Sequence, residues 1–251
     1  MTDLWAACRD GLHPAPLGGE LLRIIESQQQ VATLDLVDDL AEQALLEELI
    51  ERSKPPLPPG AEGLHYLLAT PFRYPPLRHG SRFGRRFEPA LLYGSRRLPT
   101  LLAEAAYYRF VFWTAMAEPP PARRLTTQHH LFRARLRTEG GLRLQHPPCR
   151  AHQAALRDPA DYRATQQLGS GLRAAGIAAF EFVSARDPAR GLNVALFTPE
   201  ALSSRSPLGL TPWLCETTAE QVSFAGAGGA ELYRFPRGSF EVDGRLPRPA
   251  D

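Results

Sequence analysis

The sequence predicts a mixed α+β domain in which a sheet core is surrounded by helices. Short strand-like apolar segments occur from residue 65 to residue 242, with helical segments between them. The 24 prolines and 20 glycines punctuate these segments along the 251 residues. The composition, 43% hydrophobic and 22% charged, is typical of a globular protein. Clustered strands with helices between them are the pattern of an α+β fold.

The first 54 residues are predicted to form an N-terminal helical appendage. Gly19 to Arg52 is interpreted as helical, because apolar side chains in its second half follow a helical period between acidic residues. Residues 55–61 are rich in proline and predict a stiff linker. The main domain then spans residues 62–245. We expect the apolar face of the appendage to pack on this domain, and a second copy or a partner are the alternatives.

Local patterns predict the elements of the main domain. Residues 131–138 alternate apolar and mostly arginine side chains, which is typical of a half-exposed strand with its arginines in water. A helix is predicted to begin at Asp158 and to end near Ala175, before Gly176. The other predictions are strands at His65–Leu68, Glu88–Tyr93, Ile177–Val183, Leu192–Phe197, Gln221–Ala225, Glu231–Phe235 and Ser239–Val242, a helix that begins at Thr198–Glu200, and a hairpin loop at Ala225–Ala230.

Charge and composition argue against several classes of function. The formal net charge is +2, which is too small to predict a strong binder of nucleic-acid backbones. Three widely spaced cysteines indicate neither a disulfide framework nor a zinc site, and we expect no metal. No apolar run is long enough to span a bilayer, and the first residues do not resemble a secretory signal. We therefore expect a cytoplasmic protein with no membrane partner.

The most informative residue is Glu104, in an apolar segment that predicts a helix. Between Leu101 and Trp113 the only charged residues are Glu104 and Arg109. Pro99 lies near the start of this segment, where its missing N–H costs little. A carboxylate among apolar neighbours is costly to bury without a partner. Glu104 is therefore expected to reach solvent, to pair with a cation, or to face a site that uses its charge.

An ordered set of motifs extends from Thr70 to the strand that ends at Phe197. In chain order they are Phe72-Arg73-Tyr74, Gly80-Ser81-Arg82-Phe83-Gly84, Pro89-Ala90-Leu91-Leu92-Tyr93-Gly94, Leu101-Leu102-Ala103-Glu104, Phe182-Val183-Ser184-Ala185-Arg186 and Gly191-Leu192-Asn193-Val194-Ala195-Leu196-Phe197. This set resembles the RES domain family over roughly residues 64–204. The resemblance implies an ADP-ribosyltransferase-like fold and a toxin that consumes NAD. The spacing between Arg73 and Arg82 is shorter than in many smaller members.

The resemblance also implies which residues form the site. The Arg, Glu and Ser of the family name match Arg73, Glu104 and Ser184, and we expect Glu104 to stabilise the positive ribose as nicotinamide leaves. Arginine forks suit the pyrophosphate of NAD. The predicted catalytic residues are Glu104, Arg73, Ser184 and Tyr93, and the predicted NAD-binding residues are Arg73, Tyr74, Arg82, Tyr93 and Ser184. The structural alternatives are an ion pair with an acidic residue for Arg73, a solvated turn for Arg82, a core aromatic ring for Tyr93 and a turn cap for Ser184.

The implied function is the toxin component of a type II toxin–antitoxin system that depletes NAD. ADP-ribose would pass to inorganic phosphate or to water, so NAD is a substrate and phosphate a co-substrate, and no cofactor is expected. A protein mono-ADP-ribosyltransferase and a non-catalytic interaction module are the alternatives. The implied partner is an Xre/HTH-type antitoxin that blocks the active site, with a homodimer within the complex. Direct nucleic-acid binding is not expected.

Overall fold

A computed structural model describes residues 3–27, 39–74, 80–229 and 231–248. It contains an eight-stranded mixed sheet with helices around it, which confirms the predicted α+β class. The strands are β1 (Ala15–Glu26), β2 (Leu92–Ser95), β3 (Leu125–Arg143), β4 (Ala179–Val183), β5 (Leu192–Leu196), β6 (Leu208–Thr217), β7 (Gln221–Gly226) and β8 (Leu232–Pro236). The helices are α1 (Leu4–Cys8), α2 (Leu40–Ser53), α3 (Tyr66–Arg73), α4 (Leu98–Ala115), α5 (Gln153–Leu156) and α6 (Arg163–Ala174). None of the helices in these parts of the chain has the length and apolarity that crossing a bilayer requires.

The long strand β3 organises the sheet. One of its edges pairs with β1, from His129 to Gly141. Its other edge pairs with β6 over the first half and, in parallel, with β4 at Gly141–Arg143. Because β1 also pairs with β2, and β2 joins β4 through β5, these five strands form a closed circuit of pairings. The strands β6, β7 and β8 extend from it as an antiparallel meander.

Three apolar clusters hold this arrangement together. The first packs α1 and α6 against aromatic residues of β4, among them Phe180 and Phe182. The second fills the space between the five paired strands and α3. The third lies between α4 and the meander and includes Phe110 of the helix and Phe224 of β7. Burial of these side chains is the main favourable contribution to the fold.

The N-terminal segment differs from its prediction. The helical interpretation of Gly19 to Arg52 is wrong for its first part, because residues up to Glu26 belong to β1. Eleven register pairs with β3 satisfy this backbone, so long-range pairing overrides a pattern that looked helical locally. The second part is confirmed as α2, whose start is capped by the Asp39 carboxylate. Residues 28–38 lie outside the described residues, and the boundaries at residues 54 and 61 stay predictions.

Most of the strands predicted for the main domain and the helix around Glu104 are confirmed, and the other predicted elements differ in type or position. The strands at residues 131–138, 177–183, 192–197 and 221–225 correspond to β3, β4, β5 and β7, and the segment around Glu104 is the helix α4. His65–Leu68 is not a strand but the start of α3, where the His65 ring accepts the N–H of Leu67. The helix predicted from Asp158 begins only at Arg163, because the Asp158 carboxylate closes a turn instead.

Three further predicted elements differ from the structure in position or type. The strand predicted at Glu88–Tyr93 lies later, as β2. The helix predicted from Thr198 is a 3-10 turn of three residues, Pro199–Ala201. Ser239–Val242 is not a strand, since Arg237–Phe240 forms a 3-10 turn. The strand β6 was not predicted, whereas β8 and the β7–β8 hairpin were.

The order of the strands brings the motif residues of β2, β4 and β5 to one end of the sheet. The strand β2 pairs with β5, and β5 pairs with β4, so Ser95, Asn193 and Phe182 lie side by side. The helix α4 starts three residues after Ser95 and passes over this row. Polar residues at the ends of β2 and β4 therefore face the second turn of α4.

Candidate functional site

Glu104 lies in the second turn of α4 and is held by two hydrogen bonds from the sheet. The Ser184 hydroxyl donates to Glu104 Oε1 over 2.6 Å, and the Asn193 side-chain amide donates to the same oxygen over 2.7 Å. Among the described residues, no donor contacts Oε2. The carboxylate is partly buried and oriented, and one of its oxygens is available to a ligand. Of the three outcomes expected for this residue, pairing with a cation is not observed, because its partners are neutral.

The backbone N–H groups near Ser184 determine where its hydroxyl group donates its hydrogen. Its Oγ accepts the N–H of Arg186 at 3.1 Å and of Asp187 at 3.0 Å. A hydroxyl has one hydrogen to donate and two lone pairs, so this hydrogen goes to Glu104. Ser184 is fully buried. In this arrangement it orients the carboxylate, and its hydroxyl hydrogen is already engaged.

Asn193 is a member of the site to which the sequence assigned no role. Its Nδ2 donates to Glu104, while its Oδ1 accepts the hydroxyl of Ser95 at 2.6 Å. The bond from Ser95 fixes which end of the amide faces the carboxylate. Both residues are buried and opposite each other in the β2–β5 ladder. The available signal was a polar residue within the otherwise apolar strand Leu192–Leu196.

The turn after β4 depends on a glycine and a buried carboxylate. The Asp187 carboxylate accepts the hydroxyl of Thr100 at 2.7 Å and the N–H of Gly191 at 3.2 Å. A Cβ on Gly191 would lie 1.9 Å from the Thr100 hydroxyl oxygen, so only glycine fits here. This contact ties the loop that carries Ser184 to the first turn of α4. The distance between Ser184 and Glu104 is thereby fixed.

Tyr93 is held by hydrogen bonds at its hydroxyl. The hydroxyl lies 2.8 Å from Ser81 Oγ and accepts the N–H of Phe83 at 3.1 Å. Burial raises the pKa of Tyr93 to about 12, so the phenol is neutral at physiological pH. Its ring meets the Phe182 ring edge-on at 6.3 Å. Tyr93 therefore anchors the turn that contains Arg82, which supports the structural alternative given above for this residue.

Arg82 belongs to the same turn and is buried. Its Nη1 donates to the carbonyl oxygens of Leu156 at 3.3 Å and Asp158 at 3.0 Å. Its guanidinium carbon lies 4.3 Å from the centre of the Tyr162 ring. Arg82 is only 7% exposed, so the alternative of a merely solvated turn residue does not apply.

Arg73 and Tyr74 lie apart from this network. Arg73 ends α3, and its Nη1 donates to Glu51 Oε1 of α2 at 2.7 Å, while its Nε donates to the Pro55 carbonyl oxygen. Tyr74 is exposed, and residues 75–79 lie outside the described residues. Within the described parts of the chain, Arg73 makes no hydrogen bond to Glu104 or Ser184. Of the three residues that match the family name, the structure thus brings together Glu104 and Ser184, and Arg73 lies apart from them.

No arrangement of ligating side chains indicates a metal centre. Over the residues that the structure describes, no three His, Cys, Asp or Glu side chains gather closely enough to hold an ion. Cys8, Cys149 and Cys215 are all buried with free thiols. Burial lowers the pKa of His129 to about 4, so this ring is neutral and packs edge-on against Phe224.

The comparison with protein families identifies the domain. A model described as the RES domain matches residues 57–218, which is more than half of the chain. The chain belongs to the RES domain family. The RES match includes Arg73, Arg82, Tyr93, Glu104 and Ser184, and it leaves β1, β7 and β8 outside. No curated protein matches this chain.

Proposed function

We propose that this RES protein consumes NAD by cleaving the bond between nicotinamide and ribose and transferring ADP-ribose to inorganic phosphate. The observation that carries the proposal is the oriented carboxylate of Glu104. One oxygen is held by Ser184 and Asn193, and the other has no partner among the described residues. Membership of the RES family supplies the substrate, because the family consumes NAD.

The chemistry needs a fixed negative charge more than it needs a strong base. When the C1′–N bond breaks, its electron pair goes to the nicotinamide ring, which leaves neutral, and positive charge develops on the ribose. A carboxylate held in place beside that carbon stabilises this charge without reorganising during the reaction. A phosphate oxygen then forms the new bond to this carbon, which is numbered C1″ in ADP-ribose. The product is ADP-ribose 1″-phosphate. Water in place of phosphate gives ADP-ribose and one released proton.

Binding of NAD is proposed to use arginine forks and aromatic rings around this carboxylate. Arg82 and Arg73 are proposed to contact the pyrophosphate, which their geometry suits. Tyr74, which is exposed, is proposed to stack on a ring of NAD. Tyr93 acts by holding the Arg82 turn through its hydroxyl. Since Arg73 is paired with Glu51, it must leave that carboxylate to reach NAD.

Membership of the RES family supports a proposal for the biological setting. We propose that the protein is the toxin of a type II toxin–antitoxin pair and acts in the cytoplasm without a cofactor. Its partner is proposed to be an Xre/HTH-type antitoxin that covers Glu104, with a homodimer inside the complex. Glu104 is within reach of such a partner because it lies on the same face of α4 as Tyr108 and Phe112, whose side chains are about half exposed.

One assay tests the reaction. The full chain is incubated with NAD, with and without inorganic phosphate, and the products are identified by mass spectrometry beside a Glu104→Gln control prepared in the same way. We expect nicotinamide and a phosphorylated ADP-ribose that appears only with phosphate. ADP-ribose alone would assign water as the acceptor. ADP-ribosylated protein, without phosphate dependence, would favour the protein-modifying alternative, and intact NAD under every condition would leave the non-catalytic module.

A further inference from the structure

Two buried guanidinium groups lie on either side of Tyr162. Arg82 and Arg186 are 7% and 3% exposed. Arg82 lies over the Tyr162 ring, and Nη2 of Arg186 donates to the Tyr162 hydroxyl at 3.2 Å. The guanidinium carbon of Arg186 also lies 3.5 Å from the centre of the Tyr107 ring. Two positive charges therefore share one aromatic residue inside the protein.

Neither charge has an acidic partner in the described parts of the chain. The hydrogen-bond acceptors of the two groups are the Tyr162 hydroxyl and the carbonyl oxygens of Leu156, Asp158 and Pro159, which are all neutral. The carboxylates of Asp158 and Asp187 are engaged elsewhere, and among the described residues that of Glu104 bonds to Ser184 and Asn193 and not to either arginine. That of Asp158 accepts two backbone N–H groups, and that of Asp187 holds the turn after β4. Buried charges without compensation are costly, and aromatic faces offset only part of that cost.

The unused hydrogen-bonding capacity of this pair is large. Nη2 of Arg82 and both Nε and Nη1 of Arg186 have no hydrogen-bond partner. The Tyr162 hydroxyl accepts from Arg186, and its own hydrogen has no acceptor among the described residues. Several donors on two cations are what a tetrahedral oxyanion requires. Carbonyl oxygens cannot neutralise the charge, whereas an oxyanion would satisfy both the charge and the donors.

This cluster is adjacent to the carboxylate of the site. The backbone N–H of Arg186 donates to Ser184 Oγ, which in turn donates to Glu104 Oε1. Tyr107, on which Arg186 stacks, follows Glu104 by less than one turn of α4. Burial raises the pKa of Tyr107 to about 12 although Arg186 opposes the shift, so this phenol stays neutral. An anion held here would lie beside the reacting ribose.

We propose that Arg186, Arg82 and the Tyr162 hydroxyl form an oxyanion site for a phosphate group, either free inorganic phosphate or a phosphate of the dinucleotide. The inference rests on the proposed function and adds Arg186 and Tyr162 to it. The unpartnered nitrogens are enclosed in the free protein. The anion therefore enters by separating the Arg186 guanidinium from the Tyr107 ring, and its charge replaces the cation–π contact.

The test compares the full chain with Arg186→Lys and Tyr162→Phe. Lysine keeps the charge but loses the fork, and phenylalanine keeps the ring under Arg82 but loses the hydroxyl. Arg163→Gln is the matched control, because Arg163 is exposed and, among the described residues, pairs with Asp161 alone. Calorimetric titration with inorganic phosphate, without NAD, measures the site directly. Melting curves with and without phosphate report binding again, and they show whether each variant is folded.

Each pattern of results has a definite meaning. If the site takes free phosphate, both variants weaken phosphate binding by about tenfold or more, raise the KM for phosphate, and leave the KM for NAD unchanged. If it takes a phosphate of the dinucleotide, the KM for NAD rises and phosphate binding does not change. Folded variants with wild-type phosphate binding and wild-type KM values would overturn the site. If phosphate binding is lost in the variants but the wild type cleaves no NAD, the proposed function fails and the site stands.

Discussion

Two regions of this molecule hold their charged residues in opposite ways. Around Glu104 the partners are the buried Ser184 and Asn193, which donate to one carboxylate oxygen at 2.6 and 2.7 Å. At the end of α3, Arg73 is held by the Glu51 side chain, which is 56% exposed. The first arrangement is fixed by the sheet, and the second is an ion pair in contact with water.

This difference separates a preorganised part of the site from an adjustable one. A buried hydrogen bond to a charged group contributes about 1.5–3 kcal/mol. The Arg73–Glu51 ion pair contributes less, because water screens the exposed Glu51 carboxylate. The Glu104 carboxylate is therefore held in one position. The Arg73 side chain is 15% exposed and also donates to the Pro55 carbonyl oxygen, so only its bond to the exposed Glu51 carboxylate is open to exchange. The residues that match the Glu and the Ser of the family name are thus hydrogen-bonded to each other, and the residue that matches the Arg is paired elsewhere.

The largest expected effect is on the preorganised side. Glu104→Gln keeps the shape and both hydrogen-bond neighbours but removes the charge. We expect the rate of NAD cleavage to fall by about 100-fold or more, because the developing positive charge loses its counter-charge. Nicotinamide release measures this. Glu139→Gln, on the exposed part of β3, is the matched control and should retain activity. A Glu104→Gln variant with wild-type turnover would contradict the role proposed for the carboxylate.

A smaller effect is expected from the residues that orient Glu104. Asn193→Ala removes one donor to Oε1 and leaves the Ser95 hydroxyl without its acceptor. We expect kcat to fall about 10-fold to 100-fold while the KM for NAD changes little. The free energy of unfolding should fall by about 1–3 kcal/mol, measured with urea.

A conservative change separates orientation from simple loss of stability. Ser95→Thr keeps the hydroxyl that fixes the Asn193 amide, so it should retain most of the activity, whereas Ser95→Ala should behave like a milder Asn193→Ala. If Ser95→Ala and Asn193→Ala lower stability and leave kcat unchanged, the two residues only hold the sheet together. The hydrogen bonds around Glu104 would then be structural and not functional.

On the adjustable side, Arg73→Gln should affect binding rather than turnover. We expect the KM for NAD to rise about tenfold, with kcat within a factor of about three, because a phosphate contact is lost away from the reacting carbon. Arg52→Gln, on the exposed surface of α2, is the control. Unchanged kinetics would mean that Arg73 serves only to join α2, α3 and the segment at Pro55.

These two regions also show what the sequence could predict. The helix of Glu104 followed from Pro99 and an apolar run, and Ser184 was joined to it only through the motif resemblance. Asn193 was missed because its role depends on Ser95 and Glu104, which lie about 90 residues away in the chain. Nothing local signals such a contact. The pair of Arg73 and Glu51 depends likewise on how α2 meets α3.

The strand β1 was missed for a similar physical reason. Leu21, Leu22, Ile24 and Ile25 give an apolar run that fits either a helix or a buried strand. Pairing with residues more than 100 positions later decides the outcome, and no local pattern reports it. The prediction of the α+β class was correct in spite of this error, because it depended on several strands and helices and not on this segment alone.

A pH-dependent effect tests the anchoring role of Tyr93. Its pKa is raised from 10.0 to about 12 by burial. The unfolded chain therefore loses this proton first as the pH rises, and the stability that the neutral phenol contributes is lost between pH 10 and about pH 12. Tyr93→Phe should lose about 1 kcal/mol at neutral pH and show a shallower loss of stability in that window. The measurement is urea unfolding at several pH values, with exposed Tyr66→Phe as the control.

The smallest effect is expected at Glu51, and it tests directly whether Arg73 is adjustable. Hydrogen bonds from Lys54 and then Arg73 lower the pKa of the Glu51 carboxyl, so the pair is charged at neutral pH. Glu51→Gln should leave the melting temperature close to that of the wild type. It should also lower the KM for NAD by no more than about threefold, because Arg73 no longer has to leave a carboxylate. Since salt screens exposed charges, the KM values of variant and wild type should converge as salt is added. A rise in KM would show that Glu51 positions Arg73 instead of restraining it, and the two regions would then be alike in being preorganised.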